Sequence, residues 1–491
     1  MSILRKLASQ TAVYGLSTMV GRFLNFLLVP LYTARLQDVA DYGEVNVVFS
    51  YASFLAVVFT YGMETGFFNF ARKHEQPEKV FSTATLALLM SGLGLLLLAH
   101  FYADTLAEWA GYPGKPEYAT WFAAILAADA VSSLGFAWLR FAEKPWNFAF
   151  IRLSNIAVNI GANLFYVLLC PWLLSHGYTW VETIYDPNRT VQYIFFSNLL
   201  SSLVVLPLFG KTWLKLKTGF DRPLFRKMLV YSLPMIVVGL AGMINETLDR
   251  ILLKKLLPAG VGDYEAGIYG AFYKLSLVLT LFVQAFRFAA EPFFFKRAGQ
   301  GDAQATYAYV MKWFVYVCGF IFLCTMVCLP WLGPLLIRNP AYFADPRGLY
   351  VVPILLLANW MLGIYYNLSI WYKVTSKTIL GAMTALFGAA ITIGGNLLFI
   401  HTHSFIASAW STLAAYTGMV LLGYFWGQRV YPVPYATGKL LAVICGSMLL
   451  GYLAHTYNGI VPAASWLTLP AYLLLIWYLE VKQKYVASKN S

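Results

Sequence analysis

Fourteen apolar runs, each close to the length a helix needs to cross a bilayer, take up most of the 491 residues. A helix rises 1.5 Å per residue, so about 20 mostly apolar residues cross the hydrocarbon layer. The runs fall at 9–34, 43–66, 81–102, 117–140, 146–172, 190–210, 225–250, 265–290, 306–332, 349–371, 378–400, 404–427, 438–457 and 460–480. The connections between them are short, and none is long enough for a soluble domain. Backbone amides in hydrocarbon must be satisfied within their own segment, so these runs predict an all-α, polytopic membrane protein. Charged residues make up 12% of the chain and apolar ones 59%, too little charge to cover a soluble fold of this size.

The cations test the helix count. With the N-terminus placed in the cytoplasm, 24 of the 35 Lys and Arg fall in connections on that side and 8 on the other; Arg22, Lys274 and Arg287 lie within runs. A wrong count would scramble this alternation from the point of error onward. The alternation holds to the end of the chain, which predicts both termini on the cytoplasmic side. The net charge of +13 is thus read as topological rather than as a nucleic-acid footprint. The short basic segment before the first run leads into a full-length span, so no cleavable signal peptide is expected. The five Cys all fall in apolar runs and are read as free core thiols.

The stretch Tyr231–Arg297 reads as a second copy of the beginning of the chain. Asp41-Tyr42-Gly43 stands before one aromatic-rich helix, and Asp263-Tyr264 with Gly267 before another. The longest basic connection, Lys211 to Lys227, falls between runs six and seven. The expected organisation is an N-lobe of six helices (1–210), a cytoplasmic basic linker (211–224), a C-lobe of six helices (225–429), and two accessory helices with a cytoplasmic tail (430–491). An even helix number per lobe gives both lobes the same orientation, related by a pseudo-two-fold along the membrane normal. The last two helices hold almost no interior polar groups, as a lipid-facing pair would.

Several segments carry a family resemblance. They are GLSTMVGRFLNFLLVPLYTARL followed by DYGEVNV, the YSLPMIV opening of the seventh run, Asp249-Arg250, GIYGAFYKLS, and AFRFAAEPFFF. In this order and spacing the chain resembles the polysaccharide-transporter branch of the multidrug/oligosaccharidyl-lipid/polysaccharide exporter superfamily. The resemblance implies two lobes around a central cavity lined largely by helices one, two, seven and eight, worked by alternating access. It also implies an undecaprenyl-diphosphate-linked oligosaccharide as substrate, moved from the cytoplasmic to the periplasmic leaflet of the bacterial inner membrane for O-antigen, capsule or exopolysaccharide assembly. Polysaccharide polymerase and other assembly proteins would be its partners.

A charge near the bilayer centre is costly and normally faces protein or a water-filled cavity. Arg22 stands midway along the first run, with Thr18 and Asn25 on the same helical face, and Lys274 at middle depth in the eighth. On helices that the family uses for its cavity, both suit a diphosphate, Arg by bidentate grip and Lys as a point charge. The fifth run carries Arg152, Asn155, Asn159 and Asn163 in one stripe. Asn159 with its neighbours either meets sugar hydroxyls or serves as interhelical glue. Asp129, midway along the fourth run, is either an ion-coupling group or the structural partner of Arg22. Glu64, Glu246, Asp249, Arg250, Arg287 and Glu291 lie near span ends, where gate ion pairs and simple snorkelling both stand as readings. Pro30, Pro234 and Pro292 are candidates for bending cavity helices.

The sequence has no nucleotide-binding glycine loop, no Ser/His/Asp grouping, no paired acids for glycosyl chemistry and no metal-ligand spacing. Transport without a cofactor is expected rather than catalysis, driven by an ion gradient or by the substrate's own gradient. A cation-coupled multidrug exporter of the same fold is the alternative. Its prokaryotic forms typically carry an acid on the first helix, where this chain carries Arg22.

Overall fold

A computed structural model describes residues 3–216, 219–298, 301–458 and 462–489. Lys217 of the basic connection, and the side chains of Arg5, Lys6, Pro292, Lys482, Lys484 and Lys489, lie outside what the structure describes. The described residues are helical with no strand, and fourteen helices are long and apolar enough to cross a membrane. They begin and end within a few residues of most of the expected runs, but several extend further. The eighth, Val261–Arg297, is 37 residues long and the ninth, Ala303–Leu336, is 34. The protein is a multi-pass membrane protein.

Proline sets many of the starts. Pro77, Pro116, Pro145 and Pro187 each stand in the first turn of a helix, where the missing N–H costs nothing and φ is already helical. Proline also breaks the first span. Its helix runs Ile3–Phe26 and resumes at Val29–Arg35. Pro30 has no N–H to donate to Phe26, and its ring crowds that carbonyl, so the interruption falls where the expected bend was placed. Pro234, by contrast, sits inside the unbroken helix Arg222–Leu256. The second span breaks at Tyr61-Gly62, both at positive φ, and restarts with Glu64 in its new first turn.

Contacts divide the chain into two compact units, residues 1–267 and 268–491. The division differs from the six-plus-six plan because the seventh span, Arg222–Leu256, packs on the second and third spans and so joins the first unit. At one end of that unit a core of Met63, Phe67, Phe81, Leu134, Trp138 and Met228 unites the second, third, fourth and seventh spans. The Phe81 and Trp138 rings pack at 4.8 Å, tilted by 38°.

At the other end, the two Asp-Tyr segments that suggested an internal copy meet. A Cβ on Gly43 would fall on the carbonyl oxygen of Asp263, and one on Gly267 on that of Val39. The second and eighth helices therefore cross backbone to backbone. Around the crossing, Asp263 pairs with Lys254 and accepts a hydrogen bond from the Tyr112 hydroxyl at 2.9 Å. Burial, and next the charge of Asp263, push the Tyr112 phenol upward, so it stays a donor. Glu44 takes Lys115 at 2.6 Å and a hydrogen bond from Tyr118.

Within the second unit, buried amides join neighbouring helices. Asn359 on the tenth span donates to Ser276 on the eighth at 3.1 Å, and Ser408 donates to Asn396 across the turn between the eleventh and twelfth at 2.7 Å. The accessory pair is more than lipid-facing, contrary to expectation. Glu480 on the last helix binds Lys312 of the ninth span at 2.8 Å and Lys439 of the thirteenth at 3.3 Å, and accepts the Tyr316 hydroxyl at 2.8 Å. Glu480 stands at the end of its span, and two cations expected in the connections pair with it there.

Candidate functional site

Four helices of the first unit turn a polar stripe toward one cavity of ≈ 630 Å³. The first contributes Thr18, Arg22 and Asn25; the fifth contributes Arg152, Asn155 and Asn159. Residues three and four apart share a helix face, so each triplet presents its polar groups together. The break at Pro30 lies one turn beyond Asn25, and Arg22 and Asn25 are both exposed to the cavity. Asn155 Nδ2 also donates to the Ser201 carbonyl at 3.1 Å, which holds the fifth helix on the sixth.

The fourth and sixth helices complete the wall. Asp129, Ser132, Ser133, Phe136 and Arg140 run down one, and Asn198, Ser201, Ser202 and Val205 down the other. Asp129 shares a hydrogen bond with Ser202 and lies in the field of Arg152. Arg152 in turn feels both Asp129 and Arg22. Its guanidinium lies 5.7 Å from the Phe136 ring. The restart of the second span brings in Glu64, whose carboxylate accepts from Arg140 at 2.7 Å. The Arg140 guanidinium also stands 5.3 Å from the Phe68 ring and 5.9 Å from Phe148. Three guanidinium groups thus face two carboxylates, a net positive lining, among side-chain amides and hydroxyls.

Of the residues singled out in the sequence, the cavity unites Thr18, Arg22, Asn25, Glu64, Asp129, Arg152, Asn155 and Asn159. Asn163, the last of the fifth-helix stripe, leaves it. Fully buried, it accepts the Tyr32 hydroxyl at 2.8 Å and donates to the Asn159 carbonyl at 2.8 Å, so it is interhelical glue. The six residues that follow, Leu164–Leu169, form a π-helical turn. Asp249 and Arg250 are a buried neighbouring pair in the seventh helix, where Arg250 also donates to the Glu246 carbonyl at 2.8 Å; Glu246 itself is exposed. In the second unit, Glu291 lies 3.8 Å from Arg287 and 2.7 Å from Lys373 of the tenth span. Lys274, in the same unit, is half-buried among core residues of the eighth helix.

Arg140 is the residue the sequence read only as a cation of a connection; Arg152 was counted there too, but also as the head of the fifth-run stripe, and it is the stripe that the cavity receives. Arg140 lies in the last turn of its helix, and each of the two guanidinium groups has a carboxylate inside the cavity to turn toward. Ser132, Asn198 and Ser202 were not singled out at all. Their signal is present: Asp129, Ser132, Ser133, Phe136 and Arg140 have the same three-and-four spacing as the fifth-helix stripe.

Residues 7–297 match the model of the family described as "Polysaccharide biosynthesis protein". The chain belongs to that family. No curated protein sequence matches it at a significant level. Among solved structures, it is similar to the lipid II flippase MurJ in an inward closed conformation, with a TM-score of 0.66 at 16% identity over 95% of this chain and 99% of that one. An inward-facing multidrug resistance transporter of the MATE family aligns with a TM-score of 0.65 at 14% identity, over 88% and 95% of the two chains. The eukaryotic MATE transporter AtDTX14 aligns with a TM-score of 0.55 at 14% identity, over 90% and 99%. At such identities the likeness is one of fold: the chain has the fold of the superfamily to which flippases and drug exporters belong.

Proposed function

We propose that this polysaccharide-family transporter is a flippase for undecaprenyl-diphosphate-linked oligosaccharide repeat units, which it moves by alternating access from the cytoplasmic to the periplasmic leaflet of the bacterial inner membrane. Both termini lie in the cytoplasm in this reading, as the distribution of cations requires. The observation that carries the proposal is the cavity lining, with Arg22, Arg140 and Arg152 set against Asp129 and Glu64. A diphosphate entering the membrane must exchange water for fixed donors, and planar guanidinium groups offer two parallel N–H donors each. Asn25, Asn155, Asn159 and Asn198 offer amide donors and acceptors for sugar hydroxyls around them. Lys274 is the substrate cation of the second lobe, and the Arg287–Glu291–Lys373 group one of its gates.

Replacing Arg22 with Ala tests the assignment. The variant should stay in the membrane at wild-type level and lose surface polysaccharide; normal polysaccharide would overturn it. Replacing Arg22 with Lys separates charge from bidentate grip, being mild in the first case and nearly as severe in the second.

A second reading, a cation-coupled multidrug exporter, draws support from Asp129, an acid bonded to Ser202 in the same cavity. In that case Asp129→Asn would abolish export of a cationic dye while Arg22→Ala would not.

A further inference from the structure

Away from the polar cavity, the first unit contains a second chamber of ≈ 260 Å³. It lies between the second, third and fourth spans, beneath the short helix Ala103–Ala110. Its walls are apolar, including Leu55, Phe59, Leu95, Leu98 and Leu126. An apolar cavity of about 150 Å³ stays dry and takes apolar guests, and this one is larger. It lies within membrane-crossing helices, so the surrounding fluid is hydrocarbon.

Two features of the rim point to more than a bare tail. The Tyr51 hydroxyl, on the chamber wall, is buried and has no hydrogen-bond partner among the described residues. A buried hydroxyl left unmade costs on the order of 1–3 kcal/mol, so a guest with an acceptor is favoured there. Three lysines lie against the rim aromatics: Lys115 over Tyr118 at 5.5 Å, Lys254 over Tyr112 at 4.3 Å and Lys255 over Trp109 at 5.2 Å. Lys115 is neutralised by Glu44 and Lys254 by Asp263. Lys255 is exposed and holds only the Trp109 carbonyl and ring face, with no carboxylate in ion-pair range among the described residues. Asp104 and Glu108, on the short helix, do not line the chamber. Trp109 and Tyr102, 64% and 60% exposed, put this rim at the height of an interfacial aromatic belt.

We propose that the chamber binds one anionic phospholipid of the bilayer, with an acyl chain between the second, third and fourth spans, an ester oxygen on the Tyr51 hydroxyl, and the phosphate on Lys255. The site is separate from the substrate cavity and does not depend on what that cavity carries.

The test uses the full chain, purified in a mild detergent and relipidated with phosphatidylglycerol or phosphatidylcholine of the same acyl chains. Phosphatidylglycerol should raise the unfolding temperature by several degrees more than phosphatidylcholine, and soluble glycerol phosphate should not raise it. Lys255→Gln should erase that preference, and Ala99→Phe, which fills the chamber, should erase the response to both lipids. Brominated acyl chains should quench wild-type tryptophan fluorescence more than that of Trp109→Phe; this arm stands even if Ala99→Phe fails to assemble. Equal stabilisation by the two lipids in the wild type overturns the phosphate contact. Equal quenching with and without Trp109, or undiminished lipid response in an assembled Ala99→Phe, overturns the chamber. Stabilisation by glycerol phosphate alone marks a simple anion site and overturns the lipid.

Discussion

Gly43 and Gly267 stand in a reciprocal relationship. Each faces the carbonyl oxygen of the residue four positions before the other, Asp263 for Gly43 and Val39 for Gly267. No side chain fits at either position without moving backbone. The crossing is thus reciprocal at the level of single atoms.

Gly43→Ala and Gly267→Ala should each force the second and eighth helices apart. Overpacking of this kind costs roughly 1–3 kcal/mol. Thermal unfolding in detergent should show a clear drop for each variant. The double variant should cost less than the sum of the two, because both changes relieve themselves by the same separation. Additive losses would mean that the two contacts are independent.

Tyr32→Phe should destabilise by about 1–3 kcal/mol, since it leaves the buried Asn163 carbonyl oxygen without its donor. Removing both partners, in Tyr32→Phe with Asn163→Leu, should recover part of that loss. Denaturation of the two variants side by side measures it. A double variant worse than the single would assign the cost to packing.

Arg140→Ala should separate stability from transport. Its pair with Glu64 is partly exposed, with side chains 33% and 42% accessible, and such pairs contribute about 0–1 kcal/mol. The unfolding temperature should therefore hardly change, while flipping of lipid-linked oligosaccharide in proteoliposomes should fall at least tenfold if Arg140 meets the diphosphate. Unchanged flipping would leave Arg140 a structural residue.

Asp221 supplies a pH signature outside the membrane. It caps the seventh helix by accepting the Leu224 N–H at 2.9 Å and pairs with Lys79 at 2.7 Å. The Lys79 hydrogen bond first, and the Leu224 N–H second, hold its carboxyl below the usual carboxylate range. A depressed folded pKa gives stability that is complete above the ordinary value near ~4 and is lost as pH falls through the folded value. Asp221→Asn should thus lower the unfolding temperature at neutral pH. The gap to the wild type should close on acidification below ~4. A gap that persists in acid would assign the effect to the amide's poorer capping.

Helix number and most helix positions were legible in the sequence, because hydrocarbon imposes one length and one polarity on every span. Arg22, Asn25, Asp129 and Asn159 were legible as a site for the same reason, a polar group at mid-depth needing company. Arg140 was not. A cation near a span end reads as a connection, and only the restart of the second helix after Tyr61-Gly62 brings Glu64 to it. The grouping of the seventh span with the first unit was also hidden, since adjacency in sequence says nothing about which helices touch. The two Asp-Tyr segments could be read as copies, but not as partners in contact.

Glu480 bears on how the chain is made. It is made 168 residues after Lys312 and 41 after Lys439, and binds both. Until the fourteenth span arrives, the ninth and thirteenth helices lack the carboxylate that joins them to it. A chain shortened before Glu480 should therefore hold its ninth and thirteenth helices together less firmly, so the fourteenth span works as a clasp on helices already in place.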